Sequence, residues 1–235
     1  MQKGNLYLIP NTLGNDDLGE TIPAGVIELV NRIDTYIVEN IQTAAKFLKL
    51  AGIKRPLKEL KFSVLNVNSK DTDITGYLDN ALEGKDTGLI SEAGVPCIAD
   101  PGAQIVKLAH EKGIRVVPLS GPSSVIMAIM ASGFNGQNFA FNGYLPIDKK
   151  MRQAKLKELE KKVNFENQTQ VFIEAPHRND KLLGEILDTL RPETCVCIAR
   201  ELTMNSEQVV SATVSELKQR NISLGKVPVI FLIGK

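Results

Sequence analysis

Short apolar runs alternate along the chain with longer stretches in which apolar positions recur every three or four residues. Strand-like runs fall at residues 5–9, 35–38, 62–67, 87–90, 115–118, 139–141, 170–173, 194–199 and 229–233. Helical periodicity falls between them, at 22–33, 42–51, 73–82, 103–111, 125–131, 149–162, 181–190 and 214–219. Pro23 sits early in the first helical stretch, where its missing N–H is harmless, and Ile27, Leu29, Val30 and Ile33 form that helix's inner stripe. Gly52, Gly84 and Gly113 stand where helices should stop. This alternation predicts an α/β protein with mostly parallel sheets and helices on both faces. Both halves share it without a residue-level repeat. The break near 118–124 predicts two α/β/α domains, 1–119 and 120–235.

One connection stands out. Gly88-Leu89-Ile90 is a strand that runs into Ser91-Glu92-Ala93-Gly94-Val95-Pro96, then Cys97-Ile98-Ala99-Asp100-Pro101-Gly102 and a helix. Open α/β sheets place ligands outside the carboxyl ends of their strands, in loops of this composition. Gly94 and Gly102 let backbone approach a ligand, and Pro96 and Pro101 stiffen the loop. An ordinary strand–loop–helix connection accounts for the pattern equally well. The loop after the first strand, Pro10 to Asp17, matches neither Gly-x-Gly-x-x-Gly nor a P-loop. Ser123 and Ser124 can cap the helix that follows Ser120-Gly121-Pro122, and such helix starts also receive anions and polar ligand groups.

Composition narrows the function classes only a little. The 28 basic and 27 acidic residues leave a net charge of +1, so no overall field draws the protein to nucleic acid or membrane. A local basic patch would still serve an RNA substrate. The stretch 149–162 carries seven basic residues, which read as a solvated face or as phosphate contacts. The N-terminus has no signal-peptide core and the run 125–131 is too short to span a bilayer, so a cytoplasmic protein without membrane contact is expected. Cys97, Cys195 and Cys197 make no zinc-type pairing; they read as core thiols, and no metal is expected.

The second half places polar residues at its strand ends: Asn142-Gly143-Tyr144-Leu145-Pro146, Glu174-Ala175-Pro176-His177-Arg178 and Arg200-Glu201-Leu202-Thr203. Together the loops resemble those of the tetrapyrrole methylase superfamily, the class III S-adenosylmethionine-dependent methyltransferases. The most similar branch is the small-subunit ribosomal RNA 2′-O-ribose methyltransferases. That branch has Pro-Thr-Pro-Ile-Gly-Asn where this chain has Pro10-Asn11-Thr12-Leu13-Gly14-Asn15. It has Ser-Asp-Ala-Gly-x-Pro and Asp-Pro-Gly where this chain has Ser91 to Pro96 and Asp100 to Gly102. A Pro-Gly-Pro-Ser-like helix start, Gly-Phe-Leu-Pro, Tyr-Glu-Ser-Pro-His-Arg and Ala-Arg-Glu-Leu-Thr correspond to residues 120–124, 143–146, 172–178 and 199–203. The chain departs from the branch at Val38-Glu39-Asn40-Ile41-Gln42, where the branch has Ala-Glu-Asp-Thr-Arg, and at Gly225-Lys226, where it tends to Gly-Glu. Both departures lie outside the cofactor loops and bear on the substrate.

The resemblance implies two α/β domains with a cofactor cleft between them, a homodimer, and S-adenosyl-L-methionine as cofactor. It puts that cofactor against Leu13, Ser91, Glu92, Ala93, Gly94, Pro96, Ser123 and Ser124, with Ile173 and Pro228 closing from the second domain. Methyl transfer needs mainly in-line positioning, and a ribose hydroxyl gains from a proton acceptor. Glu174, His177, Arg200 and Glu201 are the catalytic candidates, and Arg178 and Tyr144 the substrate-binding ones; structural ion pairs or caps are the competing reading for these side chains. The expected function is methyl transfer to a ribosomal RNA ribose 2′-hydroxyl. The alternatives are methylation of a tetrapyrrole or other small molecule, and cofactor binding without RNA methylation.

Overall fold

The structure is a computed structural model that describes residues 2–66, 69 and 74–235. The chain forms two compact units, Met1–Ser123 and Ser124–Lys235.

The first unit holds strands β1 (Asn5–Ile9), β2 (Thr35–Val38), β3 (Lys61–Val64), β4 (Thr87–Ile90) and β5 (Arg115–Pro118). They form one sheet in the order β3-β2-β4-β1-β5, with every pairing parallel. Helices α1 (Ala24–Val30), α2 (Ile41–Leu50), α3 (Asp79–Leu82) and α4 (Ala103–Glu111) make the crossovers. The chain steps one way along the sheet from β1 to β2 to β3, then back the other way to β4 and β5. Right-handed crossovers therefore put α1 and α2 on one face and α3 and α4 on the other. The core divides accordingly. Val26, Leu29, Phe47 and Leu48 pack with Tyr36 and Val38, while Leu78, Ala81, Ile105 and Ala109 pack with Ile37 and Leu89. Alternate residues of β2 thus serve opposite layers, as strand geometry requires. Tyr36 is fully buried, and its hydroxyl donates to the Val30 and Ile33 carbonyls.

The second unit holds α5 (Ser124–Ser132), β6 (Phe139–Tyr144), α6 (Lys149–Glu166), β7 (Thr169–Ile173), α7 (Asn179–Thr189), β8 (Cys195–Arg200), β9 (Gln208–Thr213), α8 (Val214–Gln219) and β10 (Val229–Gly234). Its sheet order is β6-β7-β10-β8-β9. Here the expectation of mostly parallel pairing is corrected: only β6 with β7 is parallel, and β7–β10, β10–β8 and β8–β9 are antiparallel. The reason lies in β9, which the sequence reading missed. A hairpin from β8 to β9 reverses direction, and β10 then enters between β7 and β8 running opposite to both. One face is covered by α6, α7 and α8 through Leu156, Leu159, Leu183, Ile186 and Leu217. Helix α5 packs against β8, β9 and β10.

Several element limits move. The first helix is shorter than 22–33 because Pro23 caps it and a 3-10 turn occupies Leu18–Glu20; Val26 joins the buried stripe while Ile27 is half-exposed. The helix expected at 73–82 reduces to α3 preceded by turns, with position 73 outside the described residues. Likewise the strand expected to 67 ends at Val64, and position 67 is outside them. Helix α6 extends four residues past 162 and ends at Asn167, which adopts the left-handed conformation that closes helices. Among the described residues no helix is long and apolar enough to cross a membrane.

Candidate functional site

In the first unit all five strands point the same way, so their carboxyl ends share one edge. The loops there are tied together by backbone. The Gly94 amide donates to the Thr12 carbonyl at 3.2 Å, and the Asn11 amide donates to the Gly94 carbonyl at 2.9 Å. Asn11 Nδ2 bonds the Ser91 and Glu92 carbonyls, and Ser91 Oγ donates to the Gly94 carbonyl at 2.9 Å. Gly94 lies at φ +69°, and a Cβ placed on it would come 3.0 Å from the Pro122 carbonyl oxygen and 3.1 Å from Leu13 Cδ2. A Cβ on Gly121 would overlap the Pro10 ring at 2.1 Å. Residues 10–13, 91–96 and 121–122 are therefore one cluster, and small residues are what allow it. Leu13, Ser91, Glu92, Ala93, Gly94 and Pro96 lie together in this cluster; Ser123 follows it and Ser124 opens α5.

Two acidic residues join this edge that the sequence reading left unassigned. Glu39 Oε1 accepts the Glu92 amide at 3.1 Å, and Asp100 accepts the Cys97 amide at 2.8 Å and the Gly102 amide at 2.7 Å. They line a crevice, too tight as it stands to admit a water molecule, together with Leu89, Ser91, Pro96 and Gly102. Burial raises the pKa of both above the usual carboxylate range, and Asp100 adds to the effect on Glu39. The same burial, with Asp100 nearby, pushes the Cys97 thiol up to about 11, so it is a thiol rather than a nucleophilic thiolate at neutral pH. Cys97 and Ala99 both carry positive φ, 69° and 64°, a conformation that side chains resist and that collects at ligand sites. The Asp-Pro-Gly triplet was the available signal for Asp100.

The departing segment 38–42 keeps its local structure. Asn40 caps α2 by accepting the Gln42 and Thr43 amides, the task an aspartate would perform, while Ile41 and Gln42 are exposed. At the other departure Gly225 takes φ +68° and Lys226 is exposed.

In the second unit the mixed topology gathers the second set of loops. Because β10 runs against β7 and β8, its first residues lie beside the ends of both: Ile230 pairs with Ile173 and Val229 with Arg200. Tyr144, at the end of β6, also pairs with Ile173, and the Glu201 amide donates to the Pro228 carbonyl at 3.0 Å. Tyr144, Ile173, Glu174, His177, Arg178, Arg200, Glu201 and Pro228 therefore share one edge of this sheet.

Their engagements differ. Buried Glu174 accepts on Oε1 from the Ala175 amide at 2.7 Å and from Arg178 Nε at 2.9 Å and Nη2 at 2.5 Å. Glu201 accepts from Arg200 Nη2 at 2.8 Å. Among the described residues Arg200 Nε is buried without a hydrogen-bond partner, and Arg200 lines a small crevice with Gln208, Ser223 and Leu224. His177 and Tyr144 are exposed. Glu201 and Thr203 have φ of 49° and 71°, a second pair of strained side-chain-bearing residues at a loop of interest. Cys197 is buried, and burial lifts its pKa to about 11, in keeping with a core thiol.

A parallel α/β unit with ligand-type loops at its strand ends, followed by a unit with a mixed sheet, is the class III methyltransferase fold. Solved structures agree: the methyltransferase CobJ matches with a TM-score of 0.66 at 15% identity, covering 99% of this chain and 94% of that one. The cobalamin biosynthetic cobalt precorrin-4 methyltransferase CbiF matches with a TM-score of 0.60 at 18% identity, covering 98% and 94%. The chain belongs to the Tetrapyrrole (Corrin/Porphyrin) Methylases, whose family model matches residues 24–218. These are methyltransferases, and S-adenosyl-L-methionine is the methyl donor. Among curated relatives, ribosomal RNA small subunit methyltransferase I of Vibrio cholerae serotype O1 is 34% identical over 212 residues, 90% of this chain and 69% of that protein. The Bacillus subtilis protein of the same name is 33% identical over 214 residues, 91% and 69%.

The residues at the first unit's edge are of a chemistry compatible with one end of that methyl donor. The carboxylates of Glu39 and Asp100 suit a positively charged group.

Proposed function

We propose that this protein transfers a methyl group from S-adenosyl-L-methionine to a ribose 2′-hydroxyl of small-subunit ribosomal RNA. The observation that carries the reading is the similarity to ribosomal RNA small subunit methyltransferase I through both units, at 34% identity over 90% of the chain. The bound cofactor supplies an electrophilic methyl group on a sulfonium. The cluster of Leu13, Ser91, Glu92, Ala93, Gly94 and Pro96, with Ser123, holds it, and Glu39 and Asp100 face its positive charge. In the second unit Arg178, oriented by Glu174, and Arg200, oriented by Glu201, hold backbone phosphates of the acceptor. His177 is the exposed candidate left to accept the hydroxyl proton on a ring nitrogen. The two units act as two domains of a cytoplasmic homodimer.

The test is calorimetric titration with S-adenosyl-L-methionine, then transfer of tritiated methyl to small ribosomal subunits from a strain lacking this gene. Saturable binding and label in a ribose 2′-O-methyl nucleoside are expected. Binding without transfer to the subunits, or transfer to a porphyrinoid instead, overturns the RNA reading.

A further inference from the structure

Seven basic residues in 149–162 suggested a solvated or phosphate-binding face, but one of them does neither. Arg152 is 4% exposed and lies on the same stripe of α6 as Leu156, Leu159 and Val163. Its Nε and Nη2 each donate at 2.7 Å to the two oxygens of Glu185 on α7, a bidentate pair buried on both sides. Its Nη1 donates to two successive loop carbonyls, Pro146 at 2.8 Å and Ile147 at 2.6 Å. The Glu185 bonds raise the Arg152 pKa and lower that of Glu185, with Glu174 and Asp148 adding to the negative field around Arg152. One guanidinium thus joins the β6–α6 loop to the helix that follows the Pro176–Arg178 turn.

A buried ion pair is weak ground for stability, because apolar residues often do as well. What apolar residues cannot do is hold two consecutive carbonyls. The loop so held carries Ile147, flanked by Tyr144 at the end of β6 and Met151 in the first turn of α6; they are 79%, 62% and 64% exposed, beside exposed Lys149 and Lys150. Exposed aromatic and apolar surface flanked by lysines suits a strand of RNA, whose bases stack and whose phosphates take the charge.

We propose that Arg152 is a positioning residue: with Glu185 it fixes residues 143–148 as a preformed docking surface for the acceptor RNA. The proposal rests on the RNA reading above. Arginine's planar fork is required: the guanidinium makes four bonds from three separate nitrogens, whereas an ammonium has three donors on one nitrogen and cannot make the bidentate pair and both carbonyl contacts together.

Three variants test it: Arg152→Lys, Arg152→Met, and the double Arg152→Met with Glu185→Leu, which removes both buried charges and keeps the volume. Methyl transfer is measured against small-subunit concentration, with cofactor affinity, melting temperature and amide exchange of residues 147–150 measured alongside. The double variant is expected to fold and bind S-adenosyl-L-methionine as the parent does, exchange faster at 147–150, and show a KM for subunits raised about 10-fold or more with kcat within about twofold. Arg152→Lys is expected not to restore the KM. An unchanged KM and exchange rate in the double variant overturns the proposal. So does a parallel loss of cofactor affinity, kcat and melting temperature, the pattern of a purely structural pair. Loss of self-association rather than subunit affinity in Tyr144→Ala would make the surface a contact between copies and also overturn it. If the parent protein methylates no subunits, the RNA reading fails by itself, and the exchange measurement still reports whether Arg152 fixes the loop.

Discussion

Arg178 places its Nε and Nη2 at 2.9 and 2.5 Å from the same oxygen of Glu174. The carboxylate is buried with its side chain 3% exposed, while the guanidinium is 32% exposed. The pair is therefore anchored at its acidic end and open at its basic end. A carboxylate oxygen that already accepts three hydrogen bonds orients an arginine better than it accepts a proton from substrate.

Glu174→Gln should accordingly lower kcat/KM for ribosomal subunits about 10- to 100-fold, as expected for losing hydrogen bonds to a charged group. The loss should fall mainly on KM. A loss confined to kcat, seen in initial-rate kinetics, would instead make Glu174 the proton acceptor.

Gly94→Ala tests the cluster at the first unit's edge. Its φ of +69° costs a side-chain-bearing residue about 1–2 kcal/mol, and the new methyl meets the Pro122 carbonyl oxygen at 3.0 Å. The melting temperature should drop by about 2–8 °C, and calorimetry should show cofactor affinity reduced about 10-fold or more. Unaltered affinity would remove this loop from the cofactor site.

The fold was legible where local signals and tertiary demands coincide. Asn5–Ile9, Thr35–Val38, Thr87–Ile90, Ala103–Glu111 and Arg115–Pro118 form as the apolar pattern predicts; Thr35–Val38 and Thr87–Ile90, buried on both faces within the parallel sheet, read as short continuous apolar runs. Strand β9 was not legible: Gln208, Val209, Val210 and Ser211 are exposed or half-exposed on the edge of a sheet, so no apolar period marks them. Strand order in the second unit was hidden for a related reason, since pairing partners are set by distant residues. In the site, loop motifs located the residues but not their engagements. Arg152 reads as one more lysine-like charge until its place on the Leu156, Leu159 and Val163 stripe is noticed. Positive φ at Cys97, Ala99, Glu201 and Thr203 has no sequence signal, because none of these residue types favours that conformation.

That strain yields its own prediction. Ala99 holds φ at 64° within the loop that carries Asp100. Ala99→Gly removes the steric cost and adds some unfolded-state entropy, for a net gain of about 0.5–1 kcal/mol in urea unfolding. If stability rises while cofactor affinity falls, the strained backbone serves binding. If stability falls, the conformation carries no steric cost.

Acid unfolding separates the two kinds of carboxylate in the molecule. Arg152's hydrogen bonds lower the Glu185 pKa below its ordinary 4.5. Its contribution is therefore complete above about pH 4.5 and is lost as pH falls through the lowered native value, where the folded state resists the proton that the unfolded state accepts. Glu39 and Asp100 have the opposite sign: burial raises both, so the stability linked to their protonation is present at low pH and lost as pH rises through their native values. Urea unfolding from about pH 3 to pH 7 should show Glu185→Gln flattening the acid limb of the profile. Glu39→Gln should gain relative to the parent as pH rises, because it removes a buried charge, and should weaken binding of the positively charged cofactor. An acid limb unchanged by Glu185→Gln would mean that the Arg152 pair is not what holds the native state against protonation.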